Sequence, residues 1–467
     1  MVPERLRWLL EPGGVPVQLS QRFVAAGHQL YVVGGSVRDL LLGDRPKDLD
    51  FATDARPEET KRVVSEWADD VFGVGEAFGT VGVAKAGHTF EITTFRQDVY
   101  RDESRKPRVT FAEDIATDLA RRDFTINAMA LRLPEPELID PYRGLEDLST
   151  RTLRTPMSPA VSFGDDPLRM LRLFRFMATI AFTPDKQTLE ATRRMGERMK
   201  IVSPERVQGE LSKLVLGQEA GRGLAEMVDT GLASYVIPEL EALVISQDPV
   251  HRHKDVLAHT LAVVDKTPAK LELRLAALFH DIGKPQTREI GPEGVTFHHH
   301  EVVGSRMARA RLKALRYPTQ VVEDVSRLVY LHLRPHSFAL GWTDSAVRRY
   351  VRDAGPLLQD LNVLVRCDVT TANPRRAGEI QTRLDELEER ITDLQRREEL
   401  ASLRPPIDGH ELMAYLGIEP GPLVGEILEI LTEHRIEEGP FSSEEAYDIA
   451  REWWIGKGQD DPGAPPA

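Results

Sequence analysis

The sequence predicts an α+β protein in which a mixed N-terminal part is followed by an all-helical remainder. Short runs rich in β-branched and aromatic residues alternate with helical stretches between residues 28 and 133. From about residue 165 onward, apolar residues recur at the spacing of amphipathic helices. A third observation is a charged helix with a narrow apolar seam over residues 378–400.

Length and composition restrict the class of protein further. A chain of 467 residues with 41% hydrophobic residues suggests about three domains with real cores. The single cysteine, Cys367, excludes an internal disulfide framework, and neither a secretory signal nor a long apolar run is visible, so we expect a soluble, cytoplasmic protein. A net charge of −14 argues against indiscriminate coating of nucleic acid but leaves room for a local arginine-rich face.

The first strand, in HQLYVV, runs into a glycine turn and a helix, in GGSVRDLLLG. Backbone N–H groups at such a junction favour negative charge, as does the helix dipole. Gly35 and Arg38 are therefore candidates for binding phosphate, with an ordinary turn and a solvated arginine as the alternative.

Asp48 and Asp50 lie two residues apart in the predicted strand KDLDFAT, so both carboxylates leave the same face. Two adjacent carboxylates repel each other unless a cation lies between them, and Mg²⁺ prefers carboxylates together with substrate phosphates. Such ions would activate an attacking hydroxyl and stabilise a leaving pyrophosphate. A third carboxylate is expected nearby, and we prefer Glu91, in the strand HTFEITTF, over Asp123, which can equally cap a helix. The alternative for the pair itself is a solvated strand end.

GGSVRDLLLG, DLD, RRDFTINAMA, DPYRGLEDL and DDPLRMLRLFRF occur in an order that resembles the bacterial class II tRNA nucleotidyltransferase and poly(A) polymerase family, over roughly residues 28–240. The resemblance implies a polymerase-β-like head, a helical neck and body, and a tail. It further implies that Gly35 and Arg38 contact a triphosphate, that Asp48 and Asp50 hold the metals, and that Arg122 contacts the incoming nucleotide. Arg121 is a substitute for Arg122, and Phe78-Gly79-Thr80 resembles a strand turn beside the metal site.

DDPLRMLRLFR suggests how a base is chosen without a template. Asp166 and Arg169 project from one helix face, so a carboxylate and a guanidinium can read the exocyclic amine and ring acceptor of C or A. The family usually begins this motif with Glu-Asp, whereas this chain has Asp165-Asp166, which leaves the supporting role of residue 165 open. Arg172 and Arg175 continue along the helix toward phosphate or primer, or are ordinary surface arginines.

A second cluster of candidate ligands follows in the middle of the chain. The segment LAALFHDIGK is preceded by a predicted helix that begins with His259 and is followed later by Asp368. This pattern resembles the HD phosphohydrolase family and suits a divalent transition metal. The implied ligands are His259, His280, Asp281 and Asp368. His299 and His300 can add phosphate or metal contacts, and GPEGVTFHHHE is predicted to be a loop. The domain can also be retained for structure alone.

The predicted organisation is a nucleotidyltransferase head (15–150), a helical neck and body with the base-reading helix (151–240), an HD domain (245–375), a helical tail (376–457) and a disordered end (458–467). We expect the seam of the tail to pack on the protein's own body and the tail to dock the tRNA elbow. The polar segment 96–111 is predicted to be a mobile loop.

The predicted function is Mg²⁺-dependent addition of C, C and A to the 3′ end of tRNA from CTP and ATP. The nearest rivals are a poly(A) polymerase and an enzyme that adds only CC or only A. A rival of another class is an HD metal phosphohydrolase with an N-terminal RNA-binding module. The sequence leaves the oligomeric state open.

Overall fold

The computed structural model describes residues 3–44, 48–73, 79–99, 108–245, 255–291, 294–369, 374–398 and 404–463. The chain forms two compact units, Met1–Val244 with Ala314–Tyr317, and Ile245–Lys313 with Pro318–Ala467. Within the described ranges, no helix is long and apolar enough to cross a membrane.

A seven-stranded mixed sheet, in the order β3-β4-β5-β2-β1-β8-β9, is the centre of the first unit. The strands of the unit are β1 (Leu30–Val33), β2 (Leu49–Thr53), β3 (Asp70–Gly73), β4 (Thr80–Lys85), β5 (His88–Thr94), β6 (Arg96–Val99), β7 (Arg108–Phe111), β8 (Ala130–Leu133), β9 (Glu137–Ile139), β10 (Thr152–Leu153) and β11 (Thr183–Pro184). β1 pairs antiparallel with β2 and β8, and β2 pairs parallel with β5. The strands β6 and β7 form a separate antiparallel pair, and β10 and β11 form a short parallel pair.

Both faces of the central strand β1 are buried, which explains its continuous apolar sequence. Leu30 and Val32 belong to one core cluster, and Tyr31 and Val33 belong to the other. The first cluster extends to Leu6 and Leu9 of a short 3₁₀ helix, which lie ahead of the predicted head boundary at residue 15.

Helices cover the sheet and then continue as a helical segment. Those of the first unit are α1 (Val15–Ala25), α2 (Gly35–Leu42), α3 (Pro57–Val64), α4 (Ile115–Ala120), α5 (Gly144–Ser149), α6 (Pro159–Asp165), α7 (Leu168–Ile180), α8 (Lys186–Met195), α9 (Pro204–Val215), α10 (Ala220–Asp229), α11 (Ala233–Val236) and α12 (Pro238–Glu241). The helix α7 packs against α9 and α10. A Cβ atom at Gly223 would lie 2.7 Å from the carbonyl oxygen of Phe174, so glycine permits the close approach of α10 to α7.

The second unit is helical apart from one hairpin. It comprises α13 (Val256–Lys266), α14 (Leu271–Phe279), β12 (Arg288–Gly291), β13 (Gly294–Phe297), α15 (His300–Ala314), α16 (Thr319–Leu331), α17 (Asp344–Ala354), α18 (Leu358–Asp368), α19 (Pro374–Glu398), α20 (Gly409–Leu416), α21 (Pro422–Glu438) and α22 (Ser443–Gly456). The helix α14, buried from Leu273 to Phe279, packs against α13, α16 and α18.

Two predictions for this unit have different outcomes. The apolar seam of α19 packs on α17, as predicted, with Leu384, Leu387, Ile391 and Leu394 buried. The prediction of a loop over residues 291–301 is wrong, because β12 and β13 pair there and α15 begins at His300. Gly291 and Gly294, which suggested the loop, are register partners at the ends of these two strands. Residues 458–463 carry no helix or strand, and residues 464–467 lie outside the described residues.

Candidate functional site

The glycine turn after β1 brings an arginine from a distant part of the chain against the backbone. Gly34 has φ +69°, a backbone conformation that requires glycine. A Cβ atom there would also displace the guanidinium end of Arg122. The helix α2 then begins at Gly35, which faces the cavity described below.

The predicted carboxylates lie on neighbouring strands. Asp50 is exposed on β2 beside the buried Leu49, and Asp48 directly precedes that strand. Glu91 on β5 is the register partner of Asp50, so the two side chains leave the same face of the sheet. The hydroxyl of Ser36 accepts a hydrogen bond from the Asp50 backbone N–H at 3.0 Å and so ties the strand to α2.

The surroundings of Asp50 shift its pKa. Partial burial raises the pKa of Asp50; Arg122 lowers it, while Glu91 and Asp48 raise it further. A divalent cation would relieve this repulsion. Among the described residues, these carboxylates do not form a closed three-ligand cluster of the kind found in the second unit. That spacing suits an ion that also takes ligands from substrate phosphate.

A cavity of about 690 Å³ opens beside Asp50. Its lining includes eight of the predicted residues, namely Gly35, Arg38, Asp50, Arg122, Asp166, Arg169, Arg172 and Arg175. Counted over the described residues that line it, eight cationic side chains face five carboxylates. The wall is therefore locally basic in a chain whose net charge is −14, which suits an anionic ligand.

Two predicted phosphate-binding arginines are anchored by buried partners. Arg38 donates to the Asn127 side-chain oxygen at 2.5 Å and to Asp39 at 2.7 Å. Arg122 donates to Asp118 at 3.0 Å, and the neighbouring Arg121 shares that carboxylate. Burial alone would raise the pKa of Asp118, but the two guanidinium groups outweigh it and hold the pKa below the usual value.

Asp123, the alternative third carboxylate, is committed to an internal network. It accepts two hydrogen bonds from Arg172, at 2.5 and 2.9 Å, and one from Asn127 at 2.9 Å. Burial would raise the pKa of Asp123, yet the charge of Arg172 holds it well below the usual value. Glu210 lies 3.0 Å from Arg172 and 2.8 Å from Arg175. The geometry thus favours Glu91 as the third carboxylate, and Arg172 and Arg175 form part of the supporting wall.

The predicted base-reading pair lines the cavity, but its two members contact different partners. Asp166 accepts from the backbone N–H of Leu168 at 3.2 Å and from Arg206 at 2.6 Å. Arg169 donates to the side chain of Ser162 at 2.9 Å, and its other terminal nitrogen donates to the backbone carbonyl of Arg121.

Sequence reasoning missed Arg206 and Glu210. Their signal was the segment ERVQGELSK, in which Arg206, Glu210 and Lys213 recur at steps of four and three on one face of α9.

In the second unit, the four residues predicted from the HD pattern converge. His259 Nε2 lies 2.9 Å from Asp368 and 3.2 Å from His280 Nε2, and His280 Nε2 lies 3.3 Å from Asp281. Burial alone would lower the pKa of His280, but Asp281 and Asp368 raise it to about 10.

Asp281 also belongs to a second group of ligand atoms, with His300 and His332. The Nδ1 atoms of His280, His300 and His332 each lie 2.7–2.9 Å from a backbone carbonyl three residues earlier. A carbonyl only accepts, so each Nδ1 carries a proton, and Nε2 is the ring nitrogen that can bind a metal once it is unprotonated. Burial, followed by the charge of His280, lowers the pKa of His332 to about 3, which keeps that ring neutral.

Of the two histidines proposed as additional contacts, only His300 reaches this cluster. His299 is 83% exposed and lies 3.9 Å from Glu301. His332 and His336 were missed, although both lie in the segment HLRPH; His336 Nε2 lies 3.4 Å from Asp368. The prediction of a mobile loop over residues 96–111 is wrong at both ends, because Arg96–Val99 and Arg108–Phe111 pair as antiparallel strands. Phe78 and residues 100–107 lie outside the described residues.

Three family models match successive segments of this chain. Residues 30–154 match the model of the poly A polymerase head domain, residues 181–243 match a probable RNA and SrmB-binding site of polymerase A, and residues 255–373 match the HD domain. The nucleotidyltransferase and HD families depend in general on divalent metals.

Full-length relatives carry three different names. A CC-adding tRNA nucleotidyltransferase of Thermus thermophilus is 34% identical over 93% of this chain and 96% of its own length. An A-adding tRNA nucleotidyltransferase of Deinococcus radiodurans is 32% identical over 90% and 95%. A CCA-adding enzyme of Anoxybacillus flavithermus is 31% identical over 86% and 87%.

A solved structure shares the fold. The crystal structure of Bacillus stearothermophilus CCA-adding enzyme in complex with CTP covers 98% of this chain and 100% of its own, with a TM-score of 0.69 and 24% identity. The α+β fold class and the resemblance read from the motifs are confirmed. The chain belongs to the bacterial class II tRNA nucleotidyltransferase family, with a poly(A) polymerase-type head and an HD domain.

Proposed function

We propose that this protein adds C, C and A to the 3′ end of tRNA, using CTP and ATP and releasing pyrophosphate in the cytoplasm. The observation that carries the proposal is the basic cavity that joins Asp50, the anchored arginines and the Asp166–Arg169 pair. The names of the relatives, all of which act on tRNA or add CCA, support this substrate.

Asp48, Asp50 and Glu91 would hold Mg²⁺, since adjacent carboxylates with open coordination positions suit this ion. When bound, Mg²⁺ supplies Lewis-acid activation of the primer hydroxyl and stabilisation of the leaving pyrophosphate. Ser36 keeps Asp50 in place, and Gly35 presents the N-terminus of α2 to the triphosphate.

Arg38 and Arg122 bind the triphosphate by charge-assisted hydrogen bonds. Because Asn127 and Asp118 already hold these guanidinium groups, little side-chain entropy is lost when the nucleotide binds. Lys213 and Arg175 contribute further positive charge to the cavity.

Asp166 and Arg169 select the base. The carboxylate of Asp166 accepts from the exocyclic amine of C or A, and the guanidinium of Arg169 donates to the adjacent ring acceptor. G and U present the opposite arrangement of donors and acceptors and are refused. Residues 376–457 dock the tRNA elbow. Their helices α20–α22 pack around a hydrophobic core of their own.

The decisive experiment offers the protein a tRNA that ends before CCA, with CTP, ATP or both, and sequences the products. Addition of CCA that stops there supports the proposal. Addition of CC alone, of A alone or of a long A tail would assign one of the rival specificities, and the first two are the activities named for full-length relatives. Absence of any addition would overturn the proposal.

We propose a second activity for the HD cluster because it contains two groups of ligand atoms, and Asp281 of the second group lies 3.3 Å from His280 of the first. His259, His280, Asp281 and Asp368 would hold one divalent transition metal, and Asp281, His300 and His332 suit another. Such a centre would hydrolyse phosphate esters. The test measures bound metal and hydrolysis of phosphate monoesters and cyclic phosphodiesters, with Asp48→Ala/Asp50→Ala as the control that should retain hydrolysis. A protein that binds no transition metal would contradict this assignment.

A further inference from the structure

One side of the nucleotide cavity is built by a helix that none of the predicted motifs includes. The helix α9 presents Arg206, Gly209, Glu210 and Lys213 to the cavity, at steps of three, one and three residues, which places them on a single face. The side of Gly209 where a Cβ atom would stand is open space, since no atom lies within 4 Å of it. This face therefore borders the volume in which the base must lie.

Arg206 holds the carboxylate of Asp166. Its terminal nitrogen donates to Asp166 Oδ2 at 2.6 Å, and the backbone N–H of Leu168 donates to Oδ1 at 3.2 Å. Each oxygen thus accepts one hydrogen bond, and together the two bonds favour one orientation of the carboxylate. An ionised carboxylate accepts about four hydrogen bonds, so lone pairs remain for a base amine.

Arg169 cannot do this task, because its guanidinium donates to Ser162 and to the backbone of Arg121. Among the described residues, the ion pair recorded for Asp166 is the one with Arg206. The orientation of the proposed base reader consequently depends on a residue forty positions later in the chain.

We propose that Arg206 is a positioning residue that sets base specificity by holding Asp166 as an oriented acceptor. A base with an amine at that position, C or A, finds a lone pair directed at it. A base with a carbonyl there, U or G, meets an acceptor oxygen that cannot turn away. This inference rests on the proposed function, because it takes Asp166 as the base reader.

A plain surface ion pair predicts something different. Half-exposed pairs contribute little to stability, and the Arg206 side chain is 51% exposed. If the ion pair had no influence on the orientation of Asp166, its loss would change neither the affinity for CTP nor the preference for CTP over UTP.

The test measures kcat and KM for CTP, ATP and UTP on tRNA lacking CCA. Arg206→Gln should raise the KM for CTP and lower the CTP/UTP preference, each about tenfold, with little change in kcat at saturating CTP. Arg206→Lys should restore most of the preference, because an ammonium group still donates to the carboxylate. The matched control is Arg193→Gln, which removes a comparably exposed pair with Asp229 outside the cavity and should behave as wild type.

Each contrary result has its own meaning. An unchanged CTP/UTP preference in Arg206→Gln, with a reduced preference in Asp166→Ala, would overturn the role of Arg206 and leave the base reader intact. An unchanged preference in Asp166→Ala would overturn both assignments. A wild-type protein that adds no nucleotide would instead overturn the proposed function.

Discussion

The carboxylate site of the first unit and the histidine cluster of the second both gather metal-ligand side chains, but in opposite surroundings. Asp48, Asp50 and Glu91 are exposed, and Asp50 lines the cavity. His280, Asp281 and His332, in contrast, are about 1% exposed, and backbone carbonyls hold the two histidine rings.

The two surroundings imply different sources for the ligands that complete the metal coordination. An open group of carboxylates takes part of its metal coordination from the phosphates of a substrate, so the ion and the nucleotide bind together. A buried group with preset imidazole tautomers holds its ion before any substrate arrives. The first arrangement suits transfer of a nucleotide, and the second suits a resident metal.

The largest expected effect separates the two sites. Asp48→Ala/Asp50→Ala should lower nucleotide addition about a thousandfold or more, because several kcal/mol of transition-state stabilisation depend on the ion. Transition-metal content should stay at the wild-type level. Primer extension and metal analysis on the same preparation check this, and loss of the transition metal would show that the sites are not independent.

The next largest effect on nucleotide addition tests whether Glu91 is the third carboxylate. Glu91→Gln should lower addition about 10- to 100-fold, because Glu91 shares a face with Asp50, and should leave the melting temperature unchanged. Steady-state kinetics over a range of Mg²⁺ concentrations measure it. Activity equal to wild type at low Mg²⁺ would exclude Glu91 from the site.

Two adjacent histidines give a matched pair of variants for the buried cluster. His300→Ala removes a ligand atom that lies 3.3 Å from Asp281, and we expect metal affinity to fall about tenfold. His299→Ala, at an exposed neighbour, should bind metal as the wild type does. Titration of the metal-free protein with Mn²⁺ or Ni²⁺ compares them, and equal affinities would remove His300 from the cluster.

The smallest effect concerns stability against acid. The pKa of Asp123 is depressed in the folded state, so its contribution is present above the unfolded value of about 4 and is lost as the pH falls below it. Thermal unfolding between pH 7 and pH 3 should show a falling melting temperature in the wild type below about pH 4. The slope should be shallower in Asp123→Asn, whose neutral amide does not titrate. Parallel curves for the two proteins would mean that other groups control the acid transition.

Much of the fold and of the sites followed from local patterns. The glycine turn, Asp-Leu-Asp and His-Asp are short segments whose geometry depends on a few backbone angles, so their spacing already specified which side chains share a face. Segment 291–301 shows the limit of this approach: its Gly and Pro residues predicted a loop, but strand pairing depends on a partner that local composition does not name.

From the sequence alone, the family and the α+β class were predictable, as were candidate ligands in both sites, because their motifs span a few adjacent residues. Arg206, Glu210, His332 and His336 were not predicted. Only the tertiary structure decided which partner each charge takes. Asp123 pairs with Arg172, and Asp166 pairs with Arg206. Asp281 contacts both His280 and His300. The physical reason is that the strength of an ion pair depends on distance and burial, and helix packing sets both between residues far apart in the chain.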